Sequence, residues 1–266
     1  MKIKIRVLIP LCLCTATLFA QKLPKIQEAS LRIPDNVKID GKSTEWDNKF
    51  QAYNNSTDIF YTIANDDEKL YLIIQATDPI IIRKIIAGGI TLTINSTGDK
   101  KDKGVAITYP IFEKKNWPII NWKNKPKVTN KTTDNGKLLD SFMYAGNKQL
   151  ADKSKEIKVF GIKGLDTLIS VYNEDGIRAA SLFDHQIAYT YELAVPLKYL
   201  ALSGDDQNKF SYNIRVNGSE SIEGATVKHI EGGTLVTGGN GSISAVDAQY
   251  MLDPTDFTGS YILAKK

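Results

Sequence analysis

Cysteine is nearly missing from this chain. Only Cys12 and Cys14 occur, both in the opening apolar stretch. Past them there is no thiol, which excludes a disulfide framework, thiolate catalysis and cysteine-ligated metal for the rest of the chain. Histidine is as scarce. His185 and His229 are the two imidazoles, and neither stands in a zinc-ligand spacing or a nucleophile motif. Past the opening residues, no stretch approaches the roughly 20 apolar residues that a bilayer-spanning helix needs. An excess of one charge is lacking too. Lys and Arg number 34 against 30 Asp and Glu, a formal +4. Lys2, Lys4 and Arg6 fall in residues 1–20, which hold no acid, so the remainder carries 31 against 30, or +1. That balance gives no electrostatic footprint for nucleic acid.

Those first residues have a pattern of their own. A basic start (Lys2, Lys4, Arg6) leads into the apolar run Val7 to Leu13, then Thr15-Ala16-Thr17-Leu18-Phe19-Ala20 before Gln21. A basic head, a short apolar stretch and small residues at its end predict a cleavable secretory signal over residues 1–20. The expected mature protein, residues 21–266, is exported to the periplasm, cell surface or medium. It carries no cysteine and no transmembrane segment, and its length suits one all-β domain.

What is present is period-two patterning. Asp58–Ala64 and Lys69–Thr77 are rich in β-branched and aromatic residues, and Asn65-Asp66-Asp67-Glu68 between them suits a tight reversal. Further strands are predicted at Gly89–Asn95, Gly104–Tyr109, Lys137–Tyr144, Ile157–Ile162, Thr167–Tyr172, Ile177–Phe183, Ile187–Val195, Lys209–Asn217 and Thr258–Leu263. Many short strands between Gly, Asn and Asp turns predict an all-β fold, an antiparallel two-sheet sandwich with long loops. Helical periodicity is nearly absent. Pro196 to Leu202 could form one turn, and Ile80 to Ala87 is apolar on all sides and too short to classify. Two regions read as irregular: Glu113 to Asn135, which carries Trp117 and Trp122, and the glycine-loaded Gly218 to Ala248.

Four blocks occur in order. They are Ile39-Asp40-Gly41-Lys42-Ser43-Thr44-Glu45-Trp46; Tyr61 to Asp78 (Y-T-I-A-N-D-D-E-K-L-Y-L-I-I-Q-A-T-D); Tyr191-Glu192-Leu193-Ala194-Val195-Pro196-Leu197; and Phe210 to Asn217 with Pro254 to Leu263. Together they resemble the family 9-like carbohydrate-binding modules, of the jelly-roll or DOMON-like sandwich superfamily. The resemblance covers Ile39 to Leu263 and implies a sandwich fold, a glycan or oligosaccharide ligand held by aromatic rings, and bound calcium. The chain departs from the family's acidic pattern D-x-V-E-x-F-x-D, having Gly89-Ile90-Thr91-Leu92-Thr93-Ile94-Asn95 there. The lost acids weaken the implied calcium and part of the implied sugar site. Within the first block Trp46 reads as core rather than as a sugar platform.

The residues themselves offer two candidate ligand-binding groups. Trp117 and Trp122 sit beside Asn116, Asn121, Lys123 and Asn124, and an aromatic ring among planar hydrogen-bonding groups suits a sugar. The opposing reading folds both rings back as a small core for the loop. Asn213, Arg215 and Asn217 share one face of a strand, which could line a sheet surface or be ordinary solvated alternation. No catalytic constellation is legible, and a non-enzymatic protein is expected: the carboxylate pairs Asp66-Asp67 and Asp205-Asp206 fall in turns. Two other classes stay open. One is a structural or partner-binding envelope protein; the other is a haem-binding relative, for which Met143, Met251, His185 and His229 are the candidate ligands beside lysines.

Overall fold

The computed structural model describes residues 22–96, 103–113, 116–128, 133–200, 209–219, 225–230, 233–238 and 245–266. The signal assigned to residues 1–20 lies outside these. In chain order the elements are β1 (Ala52–Asn54), β2 (Ile59–Asn65), β3 (Lys69–Ala76), α1 (Pro79–Gly88), β4 (Ile90–Asn95), β5 (Val105–Ile111) and α2 (Thr133–Lys153). There follow β6 (Glu156–Phe160), β7 (Leu168–Ser170), β8 (Arg178–Phe183), β9 (Tyr189–Pro196), β10 (Lys209–Val216), β11 (Ala225–Ile230), β12 (Gly233–Gly238), α3 (Ala245–Leu252) and β13 (Thr255–Ile262). A five-stranded sheet runs β1-β2-β3-β9-β8 and a six-stranded sheet β13-β10-β4-β5-β6-β7, with every pair antiparallel. This is the all-β two-sheet sandwich.

The inner faces meet in one core. Ile63, Leu72 and Ile74 from the first sheet pack with Leu92, Ile107 and Ile214 from the second. Each such side chain contributes about 1.5–3 kcal/mol by leaving water. The β2–β3 reversal forms as read. The Asp66 carboxylate accepts the backbone N–H groups of Glu68 and Lys69 and the Tyr71 hydroxyl at 2.6–2.7 Å, fixing the turn.

Ile26 packs against the main core and Gln27 N–H donates to the Tyr61 hydroxyl, while residues 31–50 lie over the outer face of the five-stranded sheet. Trp46 packs there with Ala64 and Ile73, joined by Leu31, Ile33 and Phe50. Both faces of that sheet are therefore buried, and every residue of β9 is buried. Ile73 reads as ambiguous in sequence for this reason: it faces a second, smaller core. The chain's late and early segments also meet at Asn65. Its Oδ1 accepts Tyr261 Oη and Ala264 N–H, its Nδ2 donates to the Ala264 carbonyl, and its backbone pairs with Leu31 and Ile33.

Two expectations are corrected and one open segment is resolved. Lys137–Tyr144 is not a strand but part of α2, so helical periodicity is present after all. Its apolar residues Leu139, Phe142, Met143 and Leu150 fall at helical spacing and face the core, while exposed Leu138 and Tyr144 blur the pattern in sequence. Ile80–Ala87 resolves as α1, started by Asp78, whose carboxylate accepts Ile80 and Ile81 N–H. The glycine-rich stretch contains the β11–β12 hairpin and α3.

Helix α2 also closes an open edge. Asn147 donates to the Phe183 carbonyl at 3.0 Å and accepts Phe183 N–H at 2.7 Å, pairing like a strand with the rim of β8. Gly146 permits this approach: a Cβ there would stand 3.2 Å from the Phe183 ring.

Candidate binding face on the six-stranded sheet

With one outer face covered by residues 31–50, the outer face of the six-stranded sheet is the open one. Alternation dictates its composition. In β4 it is Thr91, Thr93 and Asn95; in β5, Ala106 and Thr108; in β10, Ser211, Asn213 and Arg215. All are half-buried or exposed, while Ile90, Leu92, Ile107 and Ile214 point inward and are buried. The register sets these side chains in rows. One row crosses five strands as Thr258, Asn213, Thr93, Ala106 and Phe160. The next crosses six as Asp256, Arg215, Thr91, Thr108, Lys158 and Leu168.

Phe160 is half exposed (52 %) and Leu168 likewise (49 %), so an aromatic and an aliphatic group stand at the β6–β7 end of an otherwise polar surface. At roughly 4.8 Å per strand, Phe160 and Asn213 lie about 14 Å apart along their row. The small side chains between them leave the surface unobstructed. Several polar groups are already oriented. Thr91 Oγ1 and Thr108 Oγ1 share a 2.8 Å hydrogen bond, and Asn217 Nδ2 donates to Thr91 Oγ1 and to the Gly88 carbonyl, both at 2.9 Å. Asn213 Nδ2 donates to Asp256 Oδ2 at 2.6 Å and to the Phe257 carbonyl at 3.1 Å.

The residues singled out in sequence therefore divide. Asn213 and Arg215 stand on the open face, with Arg215 exposed. Asn217 stands at its margin, tying β10 to the α1–β4 turn. Trp117 and Trp122 belong to a different region. Trp122 stacks edgewise on Phe142 (6.0 Å) and Phe183 (5.9 Å), and the Arg83 guanidinium lies over its ring at 5.4 Å. Trp117 is half-buried, its carbonyl held by Lys153 Nζ at 2.9 Å. Among the described residues no ring contact joins the two tryptophans. Phe160 was missed by sequence reading. Its signal was its place as the exposed partner of buried Ile157 and Val159, visible only once β6 is aligned with β5.

The blocks at Asp40–Trp46 and Tyr191–Leu197 meet at a buried carboxylate. Glu192 accepts the Trp46 indole N–H at 2.9 Å, Gly41 N–H at 2.8 Å and Asp40 N–H at 3.0 Å. Burial pushes its pKa up to about 7, although all three donors favour the carboxylate. Gly41 is needed there on two counts: its φ is +83°, and a Cβ would stand 2.7 Å from β8 backbone.

The haem candidates are dispersed. His185 lies on the surface 3.6 Å from Asp140, and Met251 is buried with Ala248. Met143 packs against the main core, and the His229 side chain is outside the described residues. Among the described residues no group of three or more His, Cys, Asp or Glu gathers as a metal site, and no helix is long and apolar enough to cross a membrane. No family model, curated protein or solved structure matches the chain.

Proposed function

We propose that this is an exported, non-catalytic carbohydrate-binding protein whose open six-stranded face receives a glycan chain. The observation that carries the reading is the row Phe160, Ala106, Thr93, Asn213 and Thr258. A sugar presents apolar C–H faces ringed by hydroxyls. A protein that recognises it needs an exposed ring beside side chains that donate and accept, held on rigid backbone. Phe160 supplies the ring, and Thr93, Asn213 and Arg215 supply the polar partners. The four blocks that resemble the family 9-like modules support the same reading, as does the signal-like start of the chain.

The test is a broad glycan array followed by calorimetry on the strongest binder. Phe160→Ala should weaken binding about thirty-fold, or about 2 kcal/mol, as loss of an anchoring ring does. It should leave the melting temperature within about 2 °C, because the ring is half exposed. A silent array, or affinity unchanged in Phe160→Ala, defeats the reading.

A further inference from the structure

A strand at the end of a sheet leaves one row of backbone N–H and C=O groups without a ladder partner, an open template for another strand. The two sheets of the sandwich have four such ends: β1 and β8 in the five-stranded sheet, β13 and β7 in the six-stranded one. Three of them are blunted. β1 is three residues long, and its Tyr53 N–H donates to the Pro24 carbonyl at 2.9 Å. β8 is met by Asn147 of α2. β7 is again only three residues long.

β13 is different. It runs eight residues, Thr255–Ile262, in unbroken register with β10 and without a bulge. Proline and lysine, the residues that commonly spoil an edge, stand outside it as Pro254 and Lys265. Its one charge, Asp256, is already engaged, accepting Asn213 Nδ2 of β10 at 2.6 Å. Among the described residues, no backbone hydrogen bond reaches β13 from any element other than β10. The outer-face side chains Asp256, Thr258, Ser260 and Ile262 are all exposed.

The occupant that suits this edge is a second β13. Antiparallel pairing sets outer-face residues against outer-face residues, so two copies related by a two-fold axis must pair about a residue, not about a peptide bond. Two registers keep nearly the whole strand paired, one centred on Thr258 and one on Gly259. The first sets Asp253 against Leu263. The second sets Asp253 against Lys265, and by symmetry it does so at both ends of the seam. Both side chains are exposed, and Lys265 has no ion partner among the described residues. In that register Thr258 faces Ser260, a favourable cross-strand pair, and Asp256 faces Ile262, so no like charges meet. Gly259 stands on the axis, where no side chain crowds the approach.

We propose that β13 is the interface of a symmetric homodimer, paired antiparallel about Gly259 with Asp253 of each copy beside Lys265 of the other. Six strands then continue into six, and the two open outer faces become one surface. The dimer does not depend on that surface binding glycan. A seam of one strand pair belongs among the weak, exchanging interfaces, under about 1,200 Å².

The experiment is sedimentation velocity on the whole protein across about a hundred-fold range of concentration, because dimer formation follows mass action. The mass should rise from one chain to two and stop there. Ser260→Lys, a lysine at an exposed edge position, should weaken the dimer at least about ten-fold. Its melting temperature at low concentration should stay within about 2 °C of the parent's. Lys265→Glu should weaken the dimer about five-fold by setting acid against acid at both ends, and adding Asp253→Lys should restore it. A monomer at every concentration overturns the proposal, as does mass that climbs beyond two chains. So does a dimer indifferent to Ser260→Lys or to Lys265→Glu, or a charge swap that restores nothing.

Discussion

Glu192 joins two distant parts of the chain, β9 and the Asp40–Trp46 block. Its folded pKa, raised by burial to about 7 from 4.5, means the native state binds the proton more tightly than the unfolded chain does. The stability it contributes is therefore fully present below about pH 4.5 and is lost as pH rises through 7, by roughly 3 kcal/mol at most. Glu192→Gln has no such dependence, and its amide group sets an N–H against donors from Trp46, Gly41 and Asp40. It should cost about 2–4 kcal/mol at pH 5. Urea denaturation of both proteins from pH 4.5 to 7.5 should show the gap between them narrowing as pH rises. A widening gap would mean the three donors hold the native carboxylate ionised. Leu72 is the simpler case. It is 1 % exposed between the sheets, so Leu72→Ala should lose about 2–5 kcal/mol, measured the same way; a loss under about 0.5 kcal/mol is what a surface position would give.

Among the elements, α2 matters most as a cover. Through Asn147 it satisfies backbone groups on β8, a strand that has a sheet partner on one side only. Asn147→Ala should cost about 1–3 kcal/mol by leaving those groups unpaired. It should also open an edge to other chains, seen as concentration-dependent association by light scattering. A variant that associates no further than the parent, at full stability, would show that the helix shields nothing. This element was the least legible in sequence. Strands with one solvated face, such as β4 (Ile-Thr-Leu-Thr-Ile-Asn), announce themselves by strict alternation. The buried stripe of α2 is thin, with exposed Leu138 and Tyr144 beside it, and Asp, Asn and Gly through it lower its intrinsic preference for helix. The β11–β12 hairpin was hidden by its glycines, which read as loop.

At the scale of the whole molecule, the sandwich was legible, and of the open face only the alternation was: Asn213 and Arg215 could be named, but not Phe160 in the same row. Any strand shows which side chains alternate, but none shows which sheet face another segment will cover. That depended on residues 31–50, whose apolar residues Leu31, Ile33, Trp46 and Phe50 are too scattered to form a period. Nor does sequence reveal which strands become neighbours, and Phe160 meets the row of Asn213 only through β4 and β5. The packing of Trp122 was hidden for the same reason. Its polar loop neighbours were visible, but Phe142, Phe183 and Arg83, which take up its ring, come from three other elements.

The junction at Asn65 has a consequence in time. Ala264, 199 residues further along the chain, bonds both ends of that side chain, and Tyr261 must arrive to bond the Leu31 carbonyl. Strand β10, second from the edge of its sheet, likewise lacks one of its two neighbours until β13 emerges. A nascent chain can therefore assemble the β2–β3 hairpin early, but it cannot complete either the polar junction or the six-stranded sheet before β13 and Ala264 have been made. Native closure is late, long-range and slow by the measure of sequence separation.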